Sequence, residues 1–226
     1  HGRVSRLNAH PLVDSFGDIS IVHNGILQDY ESLRAELTAS GHTFLSETDS
    51  EVIAHLLERC LKDSTSVEEA VLACAQKLQG TYAIGVMTRH EPGVLYALRN
   101  ESPLLVGVGD DFHCFSSDPL TLGGLTDQVI WLEDGEMARI DRESCRLRSI
   151  TTGSEIQRSP ETVSIATRAV ELSGHPDFMS KEITENSQVV KTAWAIEESE
   201  IDRIVEVIQQ SERTVLTGVG TSYYVA

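Results

Sequence analysis

Apolar positions follow two different periods along this chain, and the period changes near residue 80. Before that point they recur at helical spacing behind Thr48 and Ser66, each of which has a glutamate three residues later. That arrangement is the capping box, in which a hydroxyl and a carboxylate satisfy free backbone N–H groups at a helix start. A further helix is predicted between Asp29 as its N-cap and Gly41 as its C-terminal stop. The first part of the chain therefore predicts three helices.

Short β-rich segments make up the rest of the first two thirds of the chain. One covers residues 18–22 and runs into His23-Asn24-Gly25, and Asp134-Gly135 predicts a hairpin turn between two strands. Other strands are predicted at residues 81–88, 94–99, 104–108, 112–116 and 129–132. Because strands lie on both sides of the helices and are joined by short turns, the predicted fold class is α+β, a layered sandwich and not a doubly wound parallel sheet.

A polar stretch that begins near residue 151 indicates a domain boundary. We assign residues 1–150 to one domain, 151–195 to a linker and 196–226 to the start of a further domain. Helical spacing predicts helices over 178–190 and 201–210. An apolar strand at 214–217 then leads into the glycine-rich loop Gly218-Val219-Gly220-Thr221-Ser222.

Composition excludes several classes of function. The formal net charge is −17, from 35 acidic and 18 basic residues, which argues against a nucleic-acid or anionic-membrane surface. No apolar run is long enough to span a bilayer. The four cysteines form no CxxC pair, which favours a reducing, cytoplasmic compartment. The spacing of His1 and His10 has no metal signature, so neither a metal nor a cofactor is predicted.

Three places could carry chemistry. The side chain of Asn24 and the backbone N–H of Gly25 could form an oxyanion hole, although Asn-Gly is also a common turn dipeptide. Asp49 could bind a substrate ammonium group, or could simply complement the dipole of the helix that follows it. The hydroxyls of Thr221 and Ser222 could hold a monophosphate at a helix N-terminus, or the loop could be an ordinary strand-to-helix connection. Tyr223 breaks the dinucleotide-binding pattern G-x-G-x-x-G.

Taken together and in order, the motifs resemble the class II glutamine amidotransferases, and most of all the glutamine–fructose-6-phosphate aminotransferases. The motifs are His1-Gly2, Asn8-Ala9-His10-Pro11, Val22-His23-Asn24-Gly25-Ile26, Ser46-Glu47-Thr48-Asp49-Ser50-Glu51, Ser117-Asp118, Leu132-Glu133-Asp134-Gly135-Glu136, Phe178-Met179-Ser180-Lys181-Glu182-Ile183 and Gly220-Thr221-Ser222-Tyr223. They cover almost the whole chain.

The resemblance implies an N-terminal-nucleophile hydrolase-type α/β/β/α sandwich, followed by linker helices and the first strand of an α/β sugar-isomerase (SIS) domain. It assigns Asn24 and Gly25 to the oxyanion hole, and His1 and Asp49 to glutamine. It further assigns Thr221 and Ser222 to the phosphate of fructose 6-phosphate. The activity implied is synthesis of glucosamine 6-phosphate, without a cofactor, by a cytoplasmic homodimer that binds neither nucleic acid nor membrane.

The family's nucleophile is a cysteine with a free α-amino group, and none of the four cysteines of this chain matches it. We therefore expect these 226 residues to be a fragment that is inactive alone. Two alternatives stay open at this stage. The domain could serve another acceptor, or it could be a non-catalytic module that binds glutamine or a sugar phosphate.

Overall fold

The structure, a computed structural model, describes residues 2–163, 172, 174–194 and 198–215. The chain divides into two compact units, His1–Val170 and Glu171–Ala226. The described part of the first unit contains two antiparallel sheets, and the described part of the second contains two helices. No helix among the described residues is long and apolar enough to cross a membrane.

The larger sheet has seven strands in the order β1-β2-β3-β4-β8-β9-β10, and the smaller has four in the order β11-β7-β5-β6. All pairs are antiparallel. The strands are β1 (Leu12–Val13), β2 (Ile19–Leu27), β3 (Gly80–Thr88), β4 (Leu95–Asn100), β5 (Leu105–Val108), β6 (His113–Ser116), β7 (Gln128–Trp131), β8 (Glu136–Ile140), β9 (Cys145–Ser149), β10 (Glu155–Ile156) and β11 (Glu161–Thr162).

Three helices connect β2 to β3 in the first unit. They are α1 (Tyr30–Ala39), α2 (Ser50–Asp63) and α3 (Val67–Ala75), as the sequence predicted. A single-turn 3-10 helix, Pro119–Leu122, lies beyond β6. Ser66 caps α3 as predicted, because its hydroxyl accepts a hydrogen bond from the Glu69 N–H.

Alternation along the strands separates the core into layers. Isoleucines of β2 and β3 pack with α2 and α3 on one face of the larger sheet. Val106 and Ile130 fill the space between the sheets, while their neighbours Leu105 and Val129 pack with the 3-10 helix on the outer face of the smaller sheet. Because successive strand residues point to opposite faces, each strand serves two layers. This confirms the predicted α+β layered sandwich.

The prediction that strand β2 ends before His23-Asn24-Gly25 is wrong. The three residues continue the ladder with β3, where Asn24 pairs with Ala83 and Gly25 with Tyr82. Gly25 has a φ of 145° that side chains disfavour, yet the strand runs on to Leu27. Pairing with β3 along the full length of the strand has therefore overridden the local turn preference of Asn-Gly.

The predicted hairpin at Asp134-Gly135 is also wrong, although a turn does form there. The strand before it, β7, pairs with β5 and β11, whereas the strand after it, β8, pairs with β4 and β9. The turn therefore carries the chain from one sheet to the other. Gly135 N–H donates to the Arg99 carbonyl, which fixes the turn to the end of β4.

The two other predicted caps differ from expectation. Thr48 does not begin α2, because Asp49 occupies the N-cap position and the Glu51 carboxylate turns back to accept from Leu45 N and Ser46 N at 2.8 and 2.7 Å. Glu51 thus binds the preceding loop and closes no capping box. Asp29 does precede α1, but its side chain makes no capping hydrogen bond.

The segment predicted as a linker, residues 151–195, contributes strands β10 and β11 near its start. Farther along it contains the whole of the helix Phe178–Trp194, and the helix Glu198–Gln210 follows. Both predicted helices of this region are therefore present. The second half of the predicted strand at 214–217 lies outside the described residues.

Candidate functional site

A cavity of about 300 Å³ opens beside β2, β3 and β6 in the first unit. Asn24 from β2 and Gly85 from β3 line it, together with Phe115 and Ser116 from β6. His10 and His23 add two imidazoles to its wall. The cavity thus combines an amide, serine hydroxyls and two imidazoles with an aromatic ring, a set suited to a small polar substrate.

The shape of this cavity depends on Gly85. A Cβ at that position would lie 2.2 Å from the Phe115 ring and 3.0 Å from the Val22 side chain. The absence of a side chain therefore lets the Phe115 ring lie directly over β3. Since the ring belongs to the other sheet, Gly85 sets how closely the two sheets approach at the cavity.

Asn24 and Gly25, the predicted oxyanion pair, are neighbours on β2. The Asn24 side chain is exposed at the cavity wall. A Cβ on Gly25 would lie only 2.0 Å from the Thr81 carbonyl oxygen, so the backbones of β2 and β3 approach here more closely than any side chain allows. This close approach holds the backbone of β2 beside Asn24 in one position, and a preorganised anion site needs such rigidity.

Asp49 is buried, with 2% of its surface exposed, at the start of α2. Its Oδ2 accepts from the Leu27 N–H at 2.9 Å, and its Oδ1 lies 3.4 Å from the Ser50 hydroxyl. The side chain makes no capping hydrogen bond to α2, so capping does not explain its position. The carboxylate instead fixes the first turn of α2 to the end of β2, three residues beyond Asn24.

Sequence reasoning assigned no function to His23, yet this imidazole is central to the site. It is buried, and its Nδ1 lies 2.9 Å from the Ser50 hydroxyl. Burial lowers the pKa of His23, and the opposing effects of Asp49 and the Thr81 carbonyl do not cancel the shift. Burial likewise lowers the pKa of His10. Both rings are therefore neutral at pH 7. The position of His23 within the Val22–Ile26 motif is the signal that could have identified it.

The other predicted site residues cannot be placed. His1, Thr221 and Ser222 lie outside the described residues. Among the predicted residues, the structure brings Asn24, Gly25 and Asp49 to the same end of β2. It adds His23 and Ser50, which link that strand to α2.

Comparison with known families identifies the class of protein. A model of the glutamine amidotransferase domain matches residues 3–123, which include β2, α2 and every residue of the site placed above. The chain belongs to this glutamine amidotransferase family.

Curated relatives resemble the chain over its whole length. The glutamine–fructose-6-phosphate aminotransferase (isomerizing) of Thermococcus kodakarensis is 38% identical over 226 residues, and that of Methanothermobacter thermautotrophicus is 37% identical over 227 residues. The Bacillus cereus protein of the same name is 37% identical over 230 residues. These alignments cover 99–100% of this chain but only 38% of each relative. The chain thus spans well under half the length of the relatives that it matches.

Solved structures support the fold. The glutamine phosphoribosylpyrophosphate amidotransferase of B. subtilis aligns with 66% of this chain and 33% of its own, at a TM-score of 0.55 and 23% identity. The regulatory enzyme of purine biosynthesis gives the same TM-score at 24% identity. This likeness confirms the N-terminal-nucleophile hydrolase-type layering. At such identity it says nothing about the acceptor.

Proposed function

We propose that this chain is the glutamine-binding part of an enzyme that makes glucosamine 6-phosphate and glutamate from fructose 6-phosphate and glutamine, the first step of amino-sugar synthesis. The observation that carries the proposal is the placing of Asn24 in a cavity wall while buried Asp49 is fixed to the same end of β2. The resemblance of the whole of this chain to curated aminotransferases of that name supports the choice of acceptor.

In the proposed complex, the side-chain amide of glutamine lies in the cavity and its α-ammonium group approaches Asp49. Burial lowers the pKa values of His10 and His23, so these two rings are uncharged at neutral pH and do not repel a cation near Asp49. When a nucleophile attacks the amide carbon, the Asn24 side chain and the Gly25 N–H donate to the oxyanion that develops. His1 would contribute to the same glutamine site.

The reaction requires a cysteine whose own α-amino group moves the proton, and none of the four cysteines of this chain meets that requirement. Cys60 and Cys74 are also buried. We therefore expect these 226 residues alone to bind glutamine without hydrolysing it. In the whole enzyme, Thr221 and Ser222 would hold the sugar phosphate at the start of the SIS domain, with the domain boundaries near residues 150 and 195. A cytoplasmic homodimer is part of the same proposal.

Glutamine binding to this chain tests the first half of the proposal. Calorimetric titration with glutamine is expected to show saturable binding. Asp49→Asn should raise the dissociation constant by about 10–100-fold, because that factor corresponds to the loss of one charge-assisted hydrogen bond. Asp110→Asn, which removes the same charge at an exposed position, is the matched control and should bind as the parent does. If both variants bind glutamine with equal affinity, Asp49 does not take part in glutamine binding.

The acceptor is tested with the product of the complete reading frame that encodes this sequence. Formation of glutamate and glucosamine 6-phosphate, measured by chromatography, should depend on fructose 6-phosphate. Turnover with phosphoribosyl pyrophosphate or aspartate instead would establish the alternative of another acceptor. Binding of glutamine without any turnover would favour a non-catalytic module.

A further inference from the structure

Two histidines and a glutamate meet inside the first unit, away from the amidotransferase cavity. His42 lies in the loop between α1 and α2, whereas His55 and Glu58 lie three residues apart on one face of α2. Their exposed fractions are 7%, 1% and 8%, so all three are buried. One ligand atom from each lies within 4.8 Å of the other two. We call this group the His42–His55–Glu58 cluster.

The distances inside the cluster fit a bound metal ion. Glu58 Oε2 lies 3.2 Å from His42 Nδ1 and 3.6 Å from His55 Nδ1. Ligands about 2.0–2.1 Å from a tetrahedral zinc ion are separated from each other by roughly 3.3–3.4 Å. The two distances to Glu58 Oε2 lie on either side of that separation, and all three ligand atoms lie within 4.8 Å of one another. Imidazole nitrogen and carboxylate oxygen are also the donors that zinc ordinarily takes.

Hydrogen bonding within the protein accounts for only part of this arrangement, because Ser15 N–H donates to Glu58 Oε2 at 3.3 Å but no hydrogen bond from the described residues satisfies His42 Nδ1. His42 Nδ1 is buried and close to Glu58, yet the geometry makes no hydrogen bond between them. A buried ring nitrogen without a hydrogen bond costs free energy, so such groups call for an explanation. A shared metal ion would satisfy the nitrogen and the carboxylate together.

The surroundings complete the features expected of a metal site. Glu51 Oε1 lies 3.6 Å from His55 Nε2, which is the carboxylate–histidine pairing that orients a ligand ring from its far side. Ser15 Oγ lies 3.4 Å from His55 Nδ1. A cavity of about 400 Å³ has Glu58, Asp14 and Asp18 in its wall, together with Lys62, whose Nζ lies 3.5 Å from Glu58 Oε1. The three carboxylates outnumber the one ammonium group, so the wall is acidic on balance.

We propose that His42, His55 and Glu58 bind a transition-metal ion, with zinc as the fitting metal, and that water from the adjoining cavity takes the fourth position. His55 is six residues along α2 from Asp49, or about 9 Å at the helical rise of 1.5 Å per residue. The ion is therefore separate from the glutamine site. By joining His42 to α2 it would hold the loop in which Glu47 donates its N–H to Asn8 at 2.9 Å.

The test begins with the whole chain freed of metal by a chelator and then titrated with Zn²⁺ against a chromophoric competitor. One ion per chain is expected to bind, with a rise in Tm. Glu51→Gln removes the partner of a ligand ring and should lower the Zn²⁺ affinity by about 10–100-fold. His42→Gln removes a ligand itself and should lower the affinity more. His90→Gln is the matched control, because His90 is exposed and lines the same cavity as Glu58.

Cobalt gives a readout that does not depend on the variants folding. Co²⁺ added to the metal-free parent chain should produce the strong visible absorption of a tetrahedral site, and Zn²⁺ should abolish it. Failure to bind one ion, equal affinity in parent and His42→Gln, or displacement of Zn²⁺ by excess Mg²⁺ would each overturn the proposal. The last result would assign the binding to the acidic surface instead.

Discussion

Gly25 offers the sharpest test of how β2 and β3 are held together. A Cβ at this position would lie 2.0 Å from the Thr81 oxygen, 2.7 Å from the Thr81 carbon and 2.8 Å from Tyr82 Cα. All three atoms belong to the backbone, so no side-chain rotation can relieve the overlap. The Thr81 oxygen has to retreat by about 1.4 Å to reach the 3.4 Å at which ordinary contact begins.

The cost of Gly25→Ala has two parts. The φ of 145° is unfavourable for alanine, which costs about 1–3 kcal/mol. Separating the strands also weakens the neighbouring ladder hydrogen bonds, each with a net value of about 1 kcal/mol. We expect a total loss of about 3–5 kcal/mol, a large fraction of the 5–15 kcal/mol that stabilises an ordinary domain.

Urea unfolding followed by far-UV circular dichroism measures this loss. Gly93→Ala is the matched control, because Gly93 also has a positive φ, 82°, but has no atom within 4 Å of the added carbon. It should lose only the conformational part, about 1–2 kcal/mol. If Gly25→Ala destabilises the chain no more than Gly93→Ala does, the close approach of the two strands is not a real constraint.

Two further predictions concern charged groups. Arg158 forms a two-pronged pair with Glu136 at 2.6 and 2.8 Å, and the Glu136 side chain is 7% exposed. Arg158→Met should therefore cost about 2–3 kcal/mol in urea unfolding, against less than about 1 kcal/mol for Arg142→Met at an exposed pair. Burial opposes ionisation of Asp141, but hydrogen bonds from Arg139, Glu143 and Ser144 outweigh it and lower the pKa from 3.8 to about 2. A pKa that is lower in the folded state gives stability above pH 3.8 that is lost as the pH falls toward 2. The difference in unfolding free energy between the parent and Asp141→Asn should therefore shrink across that interval, and a difference that stays constant with pH would contradict this account. Asp110→Asn serves as the control.

Local signals in the sequence were enough for most individual elements. The predicted strand at 81–88 is observed as Gly80–Thr88, and the predicted strand at 104–108 as Leu105–Val108. The hydroxyl of Ser66 also caps α3 as expected. The alternation of apolar and polar residues in a strand and the capping of a helix depend on residues a few positions apart, so the local sequence is enough to predict them.

The errors occurred where distant residues decide the local structure. Asn24-Gly25 has the sequence of a turn, but pairing with β3 keeps it in a strand. Asp134-Gly135 forms a turn, but the strands on either side belong to different sheets, since pairing partners lie far away along the chain. The cap that Thr48 was expected to form fails for a more local reason, because Glu51 binds the backbone of Leu45 and Ser46 in the preceding loop.

The sequence by itself therefore predicted most of the elements, the family resemblance and three candidate site residues that the structure places, Asn24, Gly25 and Asp49. Only the tertiary structure showed that Asp49 is fixed to Leu27 across the start of α2, and that buried His23 reaches Ser50. It alone brought His42 to the face of α2 that carries Glu58. The physical reason is that these contacts join residues 12 or more positions apart in sequence. The packing of the helices on the sheet sets the distances of these contacts, and local sequence patterns do not predict that packing.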